Sequence, residues 1–223
     1  MTLASVLARG GHDVVVLARN APEATEAARR RGIARLPELV LPATVECVPQ
    51  GEWDGNAAGL VAAVPAQSLR ASIVDLDVSR GTTLLSAAKG IEHGTLLRMS
   101  EVAVEAGWPA DRVAVISGPN LAHEVARGLP AAAVVASSSP ETATVWQQAL
   151  SHGAFRCYRS GDVIGTELGG ALKNVIAIAA GAAAGLDLGA NAIAAIMTRG
   201  LAEITRLGVA LGADPSTFQG LAG

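Results

Sequence analysis

The sequence predicts an α/β fold, a parallel sheet interleaved with helices and followed by an all-helical segment. Three observations carry this prediction. Short β-branched runs alternate with amphipathic stretches over the first 160 residues, the pattern of strands joined by crossover helices. From about Gly161 no strand candidate remains, and two long alanine-rich stretches take over. Half of the 223 residues are apolar but only 3% are aromatic, with 45 alanines and 25 glycines, so small and branched aliphatic side chains must fill the core.

Residues 1–10, MTLASVLARG, place apolar side chains at 3, 6 and 7 and end in Gly10-Gly11, as a helix stopped by left-handed glycine does. DVVVLA (13–18) is a continuous run between turn residues and reads as a strand buried on both faces. A helix over Pro22 to Arg31 follows, then short strands in TVECV (44–48) and GLVAAV (59–64). A helix around Gln67 to Val74 leads to the strand TTLLSA (82–87), and a helix from Thr95 to Ala106 leads to RVAVIS (112–117). AAAVVAS (131–137) and FRCY (155–158) close the series. The spacing predicts one parallel sheet with right-handed crossovers. Asp162 to Leu186 and Asn191 to Leu211 read as two long helices. The apolar part of the first, Asn174 to Leu186, is too short to span a bilayer and is bounded by Lys173 and Asp187, so a buried helix of small residues is expected. The boundary near 158–161 divides the chain into domains 1–160 and 161–223.

A net charge of −3, from 17 Lys+Arg against 20 Asp+Glu, offers no basic field for nucleic acid, and few aromatics are available to stack bases. Cys47 and Cys157 lack CxxC spacing, so they read as small core residues in a reducing compartment. His12, His93 and His152 lie in turn-like contexts without metal-ligand spacing, and His123 reads as exposed. No signal peptide is expected, because Arg9, His12 and Asp13 precede any adequate apolar run.

Three constellations could carry chemistry: an arginine at a strand end, two lysines, and a glycine turn before a helix. Arg19 ends the strand 13–18; in a dinucleotide fold this position meets the adenosine ribose, where arginine suits a 2′-phosphate, although an arginine that caps a strand and faces water reads equally well. Lys89 follows a buried strand, where an ammonium can hold a phosphate or a developing alkoxide, or simply be solvated. Lys173 sits one helical turn after Gly169-Gly170, beside a groove without side chains that would admit a backbone or a flat ring. Desolvation and repulsion from a nearby Lys89 would both lower its pKa toward a neutral base; snorkelling to the surface is the alternative. Ser117-Gly118-Pro119-Asn120 leads from a strand into a helix, a turn suited to an anion or a substrate hydroxyl and also an ordinary connection.

Together LARGGHDVVVLAR (7–19), VPAQSLR (64–70), SAAKGIE (86–92), VAVISGPNLAHEVARGLP (113–130), IGTELGGALKNVIAIAAG (164–181) and TRGLAEITRLGVALGADPSTFQGLAG (198–223) resemble the NAD(P)-dependent glycerol-3-phosphate dehydrogenases of the bacterial type. The match follows the family's order through almost the whole chain, and GGALKN and SGPNLA are its most specific stretches. The resemblance implies a Rossmann-type cofactor domain joined to a helical substrate domain. The reaction it implies interconverts sn-glycerol 3-phosphate and dihydroxyacetone phosphate by hydride transfer with NADP or NAD, in the cytoplasm and toward glycerophospholipid synthesis. It further implies Lys173 as proton acceptor, Lys89 in contact with substrate and cofactor, and Asn174 holding substrate beside the base. Gly118, Asn120 and Ala122 match the loop that meets substrate and nicotinamide, and Arg19 matches the contact to the adenosine end, which favours NADP. No metal is implied; a homodimer is.

The sequence departs from the family pattern at three places. Met1 already lies in the helix that follows the family's first strand and G-x-G-x-x-G turn, so a Rossmann-type sheet without its first strand is expected. The chain stops at Gly220-Leu221-Ala222-Gly223, before the family's aspartate and arginine-asparagine segment, so the helical domain is expected to be incomplete. Ile193 occupies a position where relatives usually carry a basic residue. Two other readings compete: a related ketopantoate or 2-hydroxyacid-type reductase, and a non-catalytic truncated fragment that binds partners through apolar surface beside unpaired strands. Weak or no NADPH binding by this chain alone is the outcome expected in a fluorescence titration, and submicromolar affinity would refute it.

Overall fold

In the computed structural model, which describes residues 1–222, the strands form two sheets. β1 (Val15–Ala18) pairs in parallel with β2 (Glu46–Pro49). The larger sheet runs in the order β3 (Gly59–Ala62), β4 (Thr83–Ser86), β5 (Val113–Ser117), β6 (Ala131–Ser137), β7 (Phe155–Ser160). Gly223, the last residue of the matched segment 198–223, lies outside the described residues.

The expected single sheet is therefore divided, and β1 is not buried on both faces. It pairs on one side only; Val15 is 42% exposed, and a cavity of about 1190 Å³ opens between β1 and β3, lined by Val15, Leu17 and Arg19 on one side and by Gly59, Val61 and Trp146 on the other. Parallel pairing also fails once: β6 runs antiparallel to β5. The connection between them holds a single short helix, α5 (Ala122–Ala126). At about 1.5 Å per residue it returns the chain only about 7 Å, against about 17 Å for a five-residue strand, so no crossover of the parallel kind is completed.

Alternation along β4 sets the two faces of the larger sheet. Leu84 joins Leu69, Ile73, Met99, Val102 and Val113 on the side of α3 (Leu69–Ile73) and α4 (Met99–Glu105). Its neighbour Leu85 joins Val6, Ile116, Val135, Trp146 and Leu150 on the side of α1 (Thr2–Arg9) and α6 (Pro140–Leu150). α6 has no counterpart among the sequence expectations; Ser139, which accepts from the Thr142 N–H, and Pro140 in the first turn start it. α2 (Ala21–Arg30) is capped by Asn20 and stops at a left-handed Arg31. α4 begins four residues later than expected, because Leu96 takes a left-handed conformation (φ 60°) and breaks the helix before Met99. Cys157 is buried in the core around Leu85, which pushes its thiol up to about 12 and leaves it inert.

After β7 the chain is helical. Asp162 caps α7 (Val163–Gly185) through the Gly165 N–H and also accepts from the Asp214 N–H and the Thr217 hydroxyl, fixing the start of the helix to the chain's last turn. α8 (Gly189–Ala210) packs along α7. α7 runs 23 residues and is long and apolar enough to cross a membrane by length and composition alone; within it the stretch Asn174 to Leu186, expected as a buried helix, is instead largely exposed. The helix as a whole is only partly buried: Gly165 to Gly170 are covered, whereas Val175 and Ile178 are exposed. Its covered half packs on β5 and β6, an arrangement of a helix in a protein core. Removing the fully buried Leu85 side chain (Leu85→Ala) should cost about 2–5 kcal/mol of stability, read as a lower midpoint in denaturant unfolding with an unchanged slope.

Candidate functional site

The chain contains only two lysines, Lys89 and Lys173, among 17 basic residues, and the fold brings both to one carbonyl oxygen. β5 ends at Ser117 and turns at Gly118, whose φ of +146° disfavours any side chain. A Cβ there would lie 2.8 Å from the Ala132 carbonyl oxygen and 2.9 Å from Ala133 Cα, so only glycine lets the turn sit on β6. The Gly118 oxygen accepts from the Asn120 N–H at 3.0 Å and lies 3.5 Å from each of Lys89 Nζ and Lys173 Nζ, the outer limit for such a bond.

α7 delivers Lys173 by a close approach at Gly170. A Cβ on Gly170 would lie 2.7 Å from Ser117 Oγ and 3.7 Å from Lys89 Cγ. The groove beside Gly169-Gly170 thus admits the end of β5 and the stem of Lys89 rather than a ligand ring. Lys173 is half-buried and Lys89 more exposed. Partial loss of water lowers the pKa of both, and the neighbouring Lys173 charge lowers Lys89 further, while a hydrogen bond between the amines acts the other way on Lys173.

The remaining expected residues divide between two places. Lys89, Asn120 and Ala122 line a small cavity of about 130 Å³ together with Thr2, Leu3 and Ile116. Arg19 stands apart at the larger cavity, 85% exposed and paired with Glu23 one turn along α2, which raises its pKa. Asn174 is exposed at the position after Lys173, and Ile193 is half-buried on α8. Among the described residues no cluster of His, Cys, Asp and Glu is placed to hold a metal ion.

Glu167 carries no assigned role in the sequence reading, yet it is the one carboxylate buried next to this junction. Both its oxygens are used: Oε2 accepts from Arg98 Nη1 and Ser100 Oγ, each at 2.6 Å, and Oε1 accepts from the Ser100 N–H at 2.7 Å. Burial raises its pKa, opposed by the Ser100 and Arg98 bonds. The signal available in the sequence is a lone acid in the apolar run VIGTELGGAL, since such a residue must find partners when its helix face is covered.

Comparison with known proteins gives a consistent result. Residues 1–143 match the family model described as the NAD-dependent glycerol-3-phosphate dehydrogenase N-terminus, and residues 162–223 match the corresponding C-terminus. Glycerol-3-phosphate dehydrogenase, NAD(P)+, of Nocardia farcinica is 52% identical, over 99% of this chain and 68% of that protein. A Mycobacterium tuberculosis glycerol-3-phosphate dehydrogenase, NAD(P)+, is 49% identical over the same shares. The crystal structure of glycerol-3-phosphate dehydrogenase from Coxiella burnetii superposes with a TM-score of 0.87 at 35% identity, covering 100% of this chain and 69% of that one.

The lysine pair makes a testable statement about stability. Both folded-state pKa values are depressed below the ordinary lysine value of 10.5, so the unfolded chain binds more protons and stability rises with pH through the window between the depressed values and 10.5. Lys173→Met removes its share of that slope. The variant should melt higher than the parent near pH 7, and the two melting curves should converge as pH approaches 10.5.

Proposed function

Because the chain belongs to the NAD-dependent glycerol-3-phosphate dehydrogenase family, we propose that Lys89 and Lys173 form the reacting centre for interconversion of sn-glycerol 3-phosphate and dihydroxyacetone phosphate. The observation that carries this reading is the convergence of the chain's two lysines on the Gly118 carbonyl. Two ammonium groups held this close do not both keep their protons easily, so the pair gives up its first proton below the usual lysine range. Lys173, on the rigid α7 and half-buried, is the base that takes the proton from the C2 hydroxyl. Lys89 faces the negative charge that develops on the C2 oxygen. Asn120, which lines the small cavity with Lys89, and Asn174, next to Lys173 in the chain, hold the substrate's polar groups.

The residues present fit a dinucleotide at its two ends. The small cavity lined by Lys89, Asn120 and Ala122 is well below the roughly 300 Å³ of a complete ligand pocket and suits one ring beside the lysines. Arg19, exposed at the large cavity, would exchange the Glu23 carboxylate that now fills its guanidinium fork for a 2′-phosphate, which favours NADP over NAD. When bound, the nicotinamide supplies the hydride acceptor or donor. The free thiols of Cys47 and Cys157 are in keeping with a reducing cytoplasm, and a homodimer follows from the family resemblance alone.

The competing reading as a ketopantoate-type reductase is separated by NADPH oxidation with dihydroxyacetone phosphate and with ketopantoate. The ratio of the two rates is insensitive to cofactor affinity; faster turnover of ketopantoate would overturn the assignment. Lys173→Ala should lower the rate with dihydroxyacetone phosphate by about 10²–10⁴-fold without loss of helical signal. For glycerol 3-phosphate oxidation, kcat/KM should rise with pH and level off below the ordinary lysine value, because the neutral amine is the active form.

A further inference from the structure

The two lysines reach Gly118 from segments far apart in sequence, so something must set their relative position. The Lys89 loop is stiff as far as Arg98. Ile91 and Arg98 form an antiparallel bridge, the Glu92 N–H donates to the Leu97 carbonyl at 2.9 Å, and Arg70 binds the Glu92 carboxylate with two bonds of 2.9 and 2.8 Å. Gln67 Nε2 adds a bond of 2.8 Å to the Ile91 carbonyl. The far end of this loop, Arg98 and Ser100, holds Glu167 of α7. Ile91 packs in the same apolar cluster as Leu168 and Leu172, so loop and helix also share apolar packing near the ion pair.

We propose that Glu167 is a positioning residue: bound by Arg98 and Ser100, it locks the Lys89 loop to the Lys173 helix so that both amines meet at the Gly118 carbonyl. The inference rests on the reading of the two lysines as the reacting centre. Apolar packing alone leaves a helix able to slip or roll, and one residue of slip turns α7 by about 100° and moves it about 1.5 Å, enough to take Lys173 off the carbonyl. Three directed bonds to one carboxylate remove that freedom. A buried ion pair adds little stability over an apolar replacement, whereas its geometry is strict, and Glu167 with 6% of its side chain exposed is held strictly. Burial is the largest influence on both amines, and the Lys173 charge acts in addition on Lys89. Glu92 and Glu101 are engaged by Arg70 and Arg98.

The lysines themselves report the outcome, without turnover. As the chain's two side-chain amines, they can be acylated with acetic anhydride across pH 7–11 and quantified peptide by peptide by mass spectrometry, in parent and Glu167→Gln proteins shown to be folded by circular dichroism. In the variant both half-reaction points should move up by about one pH unit, the ordinary spread that environment imposes on side-chain pKa values, as the amines part and regain water. Ser100→Ala, which keeps the backbone bond and Arg98, should give a smaller shift in the same direction and serves if Glu167→Gln does not fold. Unmoved half-reaction points in a folded variant, with only a lower melting temperature, would show that Glu167 merely supports the start of α4 and would overturn the proposal. Failure of the dihydroxyacetone phosphate assay with shifted labelling would count against the enzymatic reading and leave the positioning role standing.

Discussion

The structure turns on the Gly118 carbonyl at the end of β5. The strand must stop there, the backbone must bend onto β6 in a conformation that excludes side chains, and a helix from about 50 residues further on must approach so closely that a Cβ at Gly170 would crowd the Ser117 hydroxyl. None of these requirements involves a ligand. They bring a carbonyl dipole and two amines within 3.5 Å, and the carbonyl gives each amine a partner that water would otherwise supply.

Holding like charges together works against folding, and the surrounding residues show how the chain tolerates it. The amines remain partly open to water, and the two acids that flank the start of α7 have directed partners of their own. Asp162 joins the start of α7 to the last turn of the chain, and Glu167 joins its second turn to α4. With only about 5–15 kcal/mol separating folded from unfolded chains, a reacting centre that costs stability needs such fixed points around it, a balance common at functional sites.

The order and type of most elements were legible in the sequence, because hydrophobic period is a local property. DVVVLA, TTLLSA and RVAVIS are strands, and the two alanine-rich stretches are helices. The misreadings share a cause. A strand's burial depends on what pairs with its other edge, so β1 reads as interior from its own valines although Val15 is exposed beside a cavity. The antiparallel step at β5–β6 depends on the reach of the connection, not on either strand. α7 is uniformly apolar in sequence, and only its packing decides that Gly165–Gly170 are covered while Val175 and Ile178 are not.

The site divides in the same way. By itself the sequence determined the chemical inventory: two lysines, one beside a glycine and one a helical turn after a glycine pair, a glycine turn after a buried strand, and an arginine at a strand end. Those are choices of residue type, and family membership follows from their order. Only the tertiary structure decided that Lys89 and Lys173, 84 positions apart, share one acceptor, that Arg19 belongs to a different cavity, and that Glu167 has Arg98 and Ser100 for partners. The reason is physical: a pKa, a hydrogen bond or a buried ion pair depends on distances across the fold, and residue type limits what a group can do without saying which group will stand beside it.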